Sequence, residues 1–381
     1  MIIKVRQADI IIFPIMLLAL ISLALLITAD ESIATPVFEL ITIAYCLTSI
    51  KRPKKQIILI SLISASYIIT SYLYANLTKN INPLDFILAF KAYIYLSLLA
   101  LCVNKPTFPH SRLALISKLL IAIFSVKYIT SKFLLSIDRP IVFTENNYEL
   151  IFLLIIYYVN FTFTKKIEPL WLALLILIFF LSGSRSSIVA LALMIPFITM
   201  KRLDYKILIG TFIFTIVSIG IYYMFLERLS GNSVESIDRV RFFNFFLYEV
   251  RNWGFFDFFL GAGRLTPLTN STCNGLSYYS TLLSFKGDGT CYSVIFHSYI
   301  LRAIFDHGLI LFSFLVSSIA YFLYTTGYSK PQILCILGIL LITSLSVSSF
   351  NNAYVALALA IAVSAYRKEK PPLIELQENK P

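Results

Sequence analysis

Apolar residues along this chain come in long unbroken runs separated by short polar breaks, not in the narrow stripe that a soluble amphipathic helix shows. Roughly 20 apolar residues are needed to cross a bilayer as a helix. On that length the runs predict membrane helices near 8–29, 34–50, 56–74, 86–104, 113–131, 148–164, 167–182, 186–200, 207–226, 296–324, 332–349 and 352–366. The expected fold is an all-α polytopic membrane protein of about 12 transmembrane helices, nine in residues 1–226 and three in 296–366. The interval 227–295 is the one non-apolar stretch long enough to form a small loop domain. The tail 367–381 is charged and proline-bearing and reads as disordered.

Composition agrees with this reading. Of 381 residues 58% are hydrophobic and only 14% are charged, with a mean hydropathy of +0.82, which excludes an ordinary soluble domain. The net charge of +12 would suit nucleic acid, but the basic residues sit in small groups between apolar runs, so charge here reports topology. The first apolar run is too long for a signal-peptide core and lacks a small-x-small cleavage site, so it is expected to be a retained anchor.

Lys4 and Arg6, the group Lys51, Arg52, Lys54 and Lys55, then Lys105 and Arg112, Lys165 and Lys166, Lys201, Arg202 and Lys206, Lys330, and the tail basics all fall on one side of the predicted membrane. The short segments on the other side hold only Lys79, Lys132, Arg139 and Arg185. The positive-inside rule then places both ends in the cytoplasm and the 227–295 loop outside. Lys91, Lys118 and Lys127 lie near span ends and are expected to snorkel toward the interface.

Two polar breaks lie outside on this topology. Ser182-Gly-Ser-Arg-Ser-Ser187 carries Arg185, whose planar fork suits a phosphate, although an arginine at a tight turn also reaches lipid headgroups. Asp138-Arg-Pro-Ile-Val-Phe-Thr-Glu-Asn-Asn-Tyr-Glu149 offers Arg139 to an anion, and Glu145, Asn146 and Asn147 to sugar hydroxyls or a helix cap. Capping is the expected role of at least one asparagine. In the long loop, residues 236–251 are aromatic and basic, as for a helix lying along headgroups, and Gly261-Ala-Gly263 is expected to end it. Arg228, Arg239, Arg241, Arg251 and Arg264 make this loop basic. Arg239 and Arg241 point to opposite sides of a helix, so only one of them faces a given phosphate.

Cys273 and Cys291 are the two external cysteines, open to a disulfide or to two free thiols, while Cys46, Cys102 and Cys335 sit in apolar runs as packing residues. His297 stands where the long loop meets an apolar run, and its ordinary pKa near 6.5 suits a general base as well as an interfacial role. If the helix begins there, Leu301, Ile304 and Gly308 share its face, and Arg302 and Asp306 at i and i+4 read as a structural ion pair. No Walker sequence, Gly-rich dinucleotide loop, His-Glu-x-x-His or Cys-x-x-Cys is present, so no cofactor, nucleotide or metal is expected.

These motifs in this order resemble the superfamily of O-antigen polymerases and O-antigen ligases: Ser-Gly-Ser-Arg-Ser at 182–186, a long loop with an arginine and Gly261-Ala-Gly263, then His297-Ser-x-x-Leu301 with Asp306 and Gly308. The resemblance covers about 135–325. Ser298 and Asp306 depart from it, standing where the family usually has Asn and Glu. It implies a C-type inverting glycosyltransferase of the Gram-negative inner membrane, metal-independent, with one large periplasmic loop. Its donor and acceptor would be undecaprenyl-pyrophosphate-linked oligosaccharides. It carries the base onto His297 and pyrophosphate binding onto Arg185 and Arg241, with Arg239 as alternative.

The segment around Arg139 favours a polymerase of O-antigen or a related surface polysaccharide. A chain-length regulator and a flippase would be its partners, together with membrane lipids. The ligase that transfers the glycan to lipid A-core is the alternative. A lipid-linked oligosaccharide flippase is the rival of another class, disfavoured because the candidate charges gather at one face beside one loop and no repeated halves appear.

Overall fold

A computed structural model describes residues 7–25, 31–49, 54–105, 107–199, 238–279 and 282–365. The described residues form helices and loops with no strand. In chain order the helices are α1 (Gln7–Leu25), α2 (Glu31–Thr48), α3 (Lys55–Lys79), α4 (Pro83–Cys102), α5 (His110–Phe133), α6 (Asn146–Thr164), α7 (Pro169–Leu181) and α8 (Arg185–Thr199). There follow α9 (Asp238–Val250), α10 (Phe255–Leu260), α11 (Asn270–Gly275), α12 (Tyr299–Thr325), α13 (Lys330–Ser344) and α14 (Ala353–Ser364). Of these α3, α4, α5, α6 and α12 are long and apolar enough to cross a membrane, and six further apolar helices are shorter. The predicted span 207–226, Arg228 and the tail 367–381 lie outside the described residues.

The centre of the bundle is α14, whose twelve residues are all buried, packed against α6, α2 and α4. A helix that is apolar all round must be surrounded by other helices, and the alanines of Ala-Tyr-Val-Ala-Leu-Ala-Leu-Ala let the neighbours approach closely. Helix α6 is nearly as enclosed, whereas α3 buries only Ile57, Ser64, Ser71 and Ala75 and leaves the rest of its apolar surface facing outward.

The loop between α8 and α12 carries its own small core. One face of α9, Phe242, Phe246 and Val250, packs with Leu268, Leu276, Ile295, Phe296 and Phe305 around a disulfide between Cys273 and Cys291. The helix expected to run to Gly261 instead ends at Val250. A turn through Trp253 and Gly254 separates it from α10, which Gly261 terminates at φ +80°.

Charged residues within the bundle differ from expectation. Lys91 pairs with Glu39, Lys118 with Glu168 at 2.6 Å, and Lys127 is buried and donates to the Ser22 carbonyl at 2.6 Å. Lys91 and Lys127 find acceptors on neighbouring helices in place of snorkelling, a buried ammonium without one costing several kcal/mol, whereas Lys118 reaches the partly exposed Glu168 just before α7.

Candidate active site

The two polar breaks singled out in the sequence, 138–149 and 182–187, interlock. The turn after α7 is built by Ser182, whose hydroxyl donates to the Phe179 carbonyl at 2.6 Å and accepts from the Ser184 amide at 3.1 Å, with Gly183 at φ +64°. Gly183 lies against the Asp138 carbonyl and the Arg139 side chain, which brings the second break alongside. Asn146 Nδ2 donates to the Ser182 carbonyl at 2.9 Å, and the Ser184 hydroxyl donates to Asn147 Oδ1 at 2.6 Å. Asn147 Nδ2 in turn donates to Glu145 at 3.0 Å. Neither asparagine is the cap of α6: the cap position is Glu145, and Asn146 through its Nδ2 and Asn147 through its Oδ1 meet the neighbouring turn.

Behind this latch, buried Glu149 accepts the amides of Val142 and Phe143 at 3.0 and 2.7 Å and the Tyr128 hydroxyl at 2.8 Å. One carboxylate therefore fixes the segment that presents Thr144 to Asn147. The result is a cleft of about 470 Å³ lined by Arg139, Glu145, Asn146, Asn147, Tyr148 and Asn352, among others. Arg185, half-buried, is the first residue of α8 immediately after Ser184. A cation there is opposed by the positive end of the helix dipole, whereas an anion would be favoured by both.

His297 does not begin a helix. It stands between a 3-10 turn, Ser293–Phe296, and α12, at φ +55° and ψ −35°, a conformation that residues with a Cβ rarely adopt. Such strain, of order 1–3 kcal/mol, persists only where the surroundings impose it. Here they do. The imidazole packs against Phe242 at 5.6 Å and Tyr279 at 5.0 Å, both from the loop core, and its carbonyl accepts the Ser348 hydroxyl at 3.0 Å. Ser348 also accepts from Arg302 at 2.6 Å, and Tyr148, which lines the Arg139 cleft, lies beside Ser348. A single serine thus joins the cleft to the backbone of His297.

Arg302 and Asp306 are not an ion pair among the described residues. Arg302 donates to Ser348 and to the Leu88 carbonyl at 3.1 Å, while Asp306 accepts from Ser293 in the turn before His297. Leu301, Ile304 and Gly308 do not form one helical face beneath His297, because α12 starts only at Tyr299 and breaks at Gly308, φ +73°. Asn351 inserts into α4, accepting the Ala92 amide at 2.7 Å and donating to the Leu88 carbonyl. It therefore replaces the i to i−4 bond of that turn.

No family model, curated protein or solved structure matches this chain.

The loop arginines occupy different places. Arg241 donates to the Gly275 carbonyl at 2.6 Å, stacks over Tyr278 and lines a second cleft of about 490 Å³ with Asn244, Phe245, Tyr248 and Ser271. Arg239 is three residues before Phe242 and so on nearly the face that meets His297. Beside the disulfide, Ser284 and the Phe285 amide bind Asp85 at 2.6 and 3.1 Å, which moors the loop to α4. The turn that follows is held by Thr290, whose bonds to Asp288 keep that carboxyl below its usual range. No group of metal-ligating side chains occurs among the described residues.

Ser348, Asn351, Asn352, Tyr148 and Asp85 were not singled out in the sequence. For the first three a signal exists: Ser346-Val-Ser-Ser-Phe-Asn-Asn352 interrupts an otherwise apolar run. For Tyr148 and Asp85 only the fold reveals the role.

Proposed function

We propose that the protein is a polymerase of lipid-linked glycan repeat units, of the O-antigen polymerase type, acting at the periplasmic face of the inner membrane within a bundle of about 12 spans and a C-type glycosyltransferase fold. The observation that carries the reading is His297, held in a strained backbone conformation by aromatic residues of the loop and connected through Ser348 to a cleft that gathers Arg139, Glu145, Asn146 and Asn147.

In the proposed reaction His297 takes the proton of an acceptor hydroxyl as that oxygen bonds to the anomeric carbon of the growing glycan. The bond from that carbon to the pyrophosphate oxygen breaks with inversion, and the leaving group keeps the electron pair. Arg185, at the positive end of α8, and Arg139 stabilise the charge that grows on the pyrophosphate, with Arg239 better directed toward His297 than Arg241. Fixed cations in a partly dry site are commonly the largest catalytic contribution, and a placed base adds a factor of roughly 100 to 10,000. Asn147 and Glu145 suit sugar hydroxyls.

Turnover of purified protein with undecaprenyl-pyrophosphate-linked repeats tests the reading. His297→Ala should lower turnover by at least about 100-fold with the protein still folded, and full-length chains made by that variant would remove His297 as the base. Transfer to lipid A-core instead of to another repeat would indicate the ligase. Transbilayer movement of the lipid without chain growth would indicate the flippase.

A further inference from the structure

A further cationic cleft, which shares no residue with the clefts lined by Arg139 and Arg241, lies between α3 and the turn Gly261–Leu265. Its volume is about 410 Å³, and Thr70, Ser71, Tyr74, Leu260, Gly263 and Arg264 are among its lining residues. We propose that this cleft binds the phosphate-bearing headgroup of a second isoprenoid-linked glycan, with Arg264 as its cation. The inference rests on the polymerase reading, which requires two lipid-linked substrates at one base.

Four observations carry it. First, Arg264 meets no carboxylate within 4 Å among the described residues; its guanidinium lies over the Tyr67 ring at 5.0 Å and makes one long bond, 3.4 Å, to the Leu260 carbonyl. A planar donor fork stacked on an aromatic ring is oriented for an anion with two oxygens to offer. Second, the backbone is strained at the same place. Arg264 and Leu265 take φ of +32° and +55° in succession, and Lys79 holds them there through the Gly263 carbonyl at 2.6 Å, the Arg264 carbonyl at 3.2 Å and the Thr266 hydroxyl at 2.9 Å. Strain held by a dedicated clamp points to use of the residue it presents.

Third, an apolar track leads to the cleft. Ile69, Leu73 and Leu77 on the outward face of α3, and Phe255, Phe256 and Leu260 on α10, are all exposed, with Phe256 at 74% and Leu77 at 81%. A prenyl chain can lie on this surface while its phosphate reaches Arg264, which a soluble anion would not require. Fourth, the turn is coupled to the base. Ala262 donates to the Phe305 carbonyl at 2.7 Å and Gly261 packs on Gly308, so the turn rests on the segment of α12 that holds Asp306. Asp306 accepts from Ser293 in the 3-10 turn that leads to His297. The Arg139 cleft reaches His297 through Ser348, and the Arg264 cleft reaches it through Asp306 and Ser293.

Native mass spectrometry of the full chain in phosphatidylcholine nanodiscs, with undecaprenyl phosphate as probe, tests the proposal. The wild type should retain two probe molecules, and Arg264→Gln one, with affinity for the lost site down at least tenfold. Thr70→Trp, on an exposed position of α3, should exclude the same molecule by filling the cleft, which keeps the test independent of any folding defect at Arg264. Arg139→Gln should weaken the other molecule. Two molecules retained by both Arg264→Gln and Thr70→Trp overturn the proposal, as does equal binding of inorganic phosphate or of phosphatidylglycerol at this cleft. If wild-type protein turns over lipid-linked repeats while Arg264→Gln binds as wild type does, only this site assignment fails. If wild-type protein binds two probes yet never extends a glycan, the polymerase reading fails instead.

Discussion

Two glycines near the loop junction have nearly the same positive φ and opposite surroundings, which sets packing apart from the cost of a positive φ. Gly308 at φ +73° and Gly263 at φ +76° both lie at positive φ, where an L-residue costs of order 1–3 kcal/mol. A Cβ on Gly263 would meet nothing within 4 Å, so Gly263→Ala should cost that strain alone. A Cβ on Gly308 would lie inside contact distance of the Phe259 carbonyl and 2.6 Å from the carbonyl carbon of Leu260. These are backbone atoms, so α10 must lift from α12. Lifting it breaks the 2.7 Å bond from Ala262 to Phe305 and loosens the three Lys79 bonds to Gly263, Arg264 and Thr266. At about 0.5–1.5 kcal/mol per bond, losing all four makes Gly308→Ala about 2–6 kcal/mol costlier than Gly263→Ala.

That difference corresponds to roughly 30- to 20,000-fold in a local opening equilibrium. Hydrogen exchange of residues 255–266 in detergent reads it directly, with α6 and α14 as internal references that neither substitution should change. Equal protection in the two variants, or greater loss in Gly263→Ala, would refute the contact argument and leave backbone strain as the whole effect.

Two further perturbations address the elements that present the site. Replacing Cys273 and Cys291 by serine should destabilise the loop core by about 3 kcal/mol, from the loop closed by this pairing in the chain-entropy view. Cleavage by protease within 276–290 should accelerate and the packing of Tyr279 on His297 should loosen, while unchanged proteolysis would mean that the apolar core alone holds the loop. Glu149→Gln should lower stability by about 1–3 kcal/mol, because an amide cannot accept from Val142, Phe143 and Tyr128 together. A melting temperature equal to wild type would show that the 138–147 segment is held by the Ser182 to Ser184 latch instead.

The sequence by itself determined that this chain is a bundle of apolar helices. Every backbone N–H and C=O in a long apolar run must be satisfied within its own helix, so run length alone marks the elements. It also marked His297, Arg185 and the 138–149 break, because a few polar residues stand out against so apolar a background. It misplaced the ends of elements and the partners of charges. The expected helix from His297 became a strained residue before Tyr299, the cap role expected of at least one of Asn146 and Asn147 became a latch to the Ser182 turn, and Lys91 and Lys127 found acceptors on other helices.

Only the tertiary structure decided these, and for one reason. A buried polar group must find a partner, but its own neighbours in sequence are apolar, so the partner comes from whichever helix lies alongside. Ser348 and Asn351 show the consequence most clearly: local pattern makes them a break in an apolar run, whereas packing makes them the joint between α4, α12 and the backbone of His297.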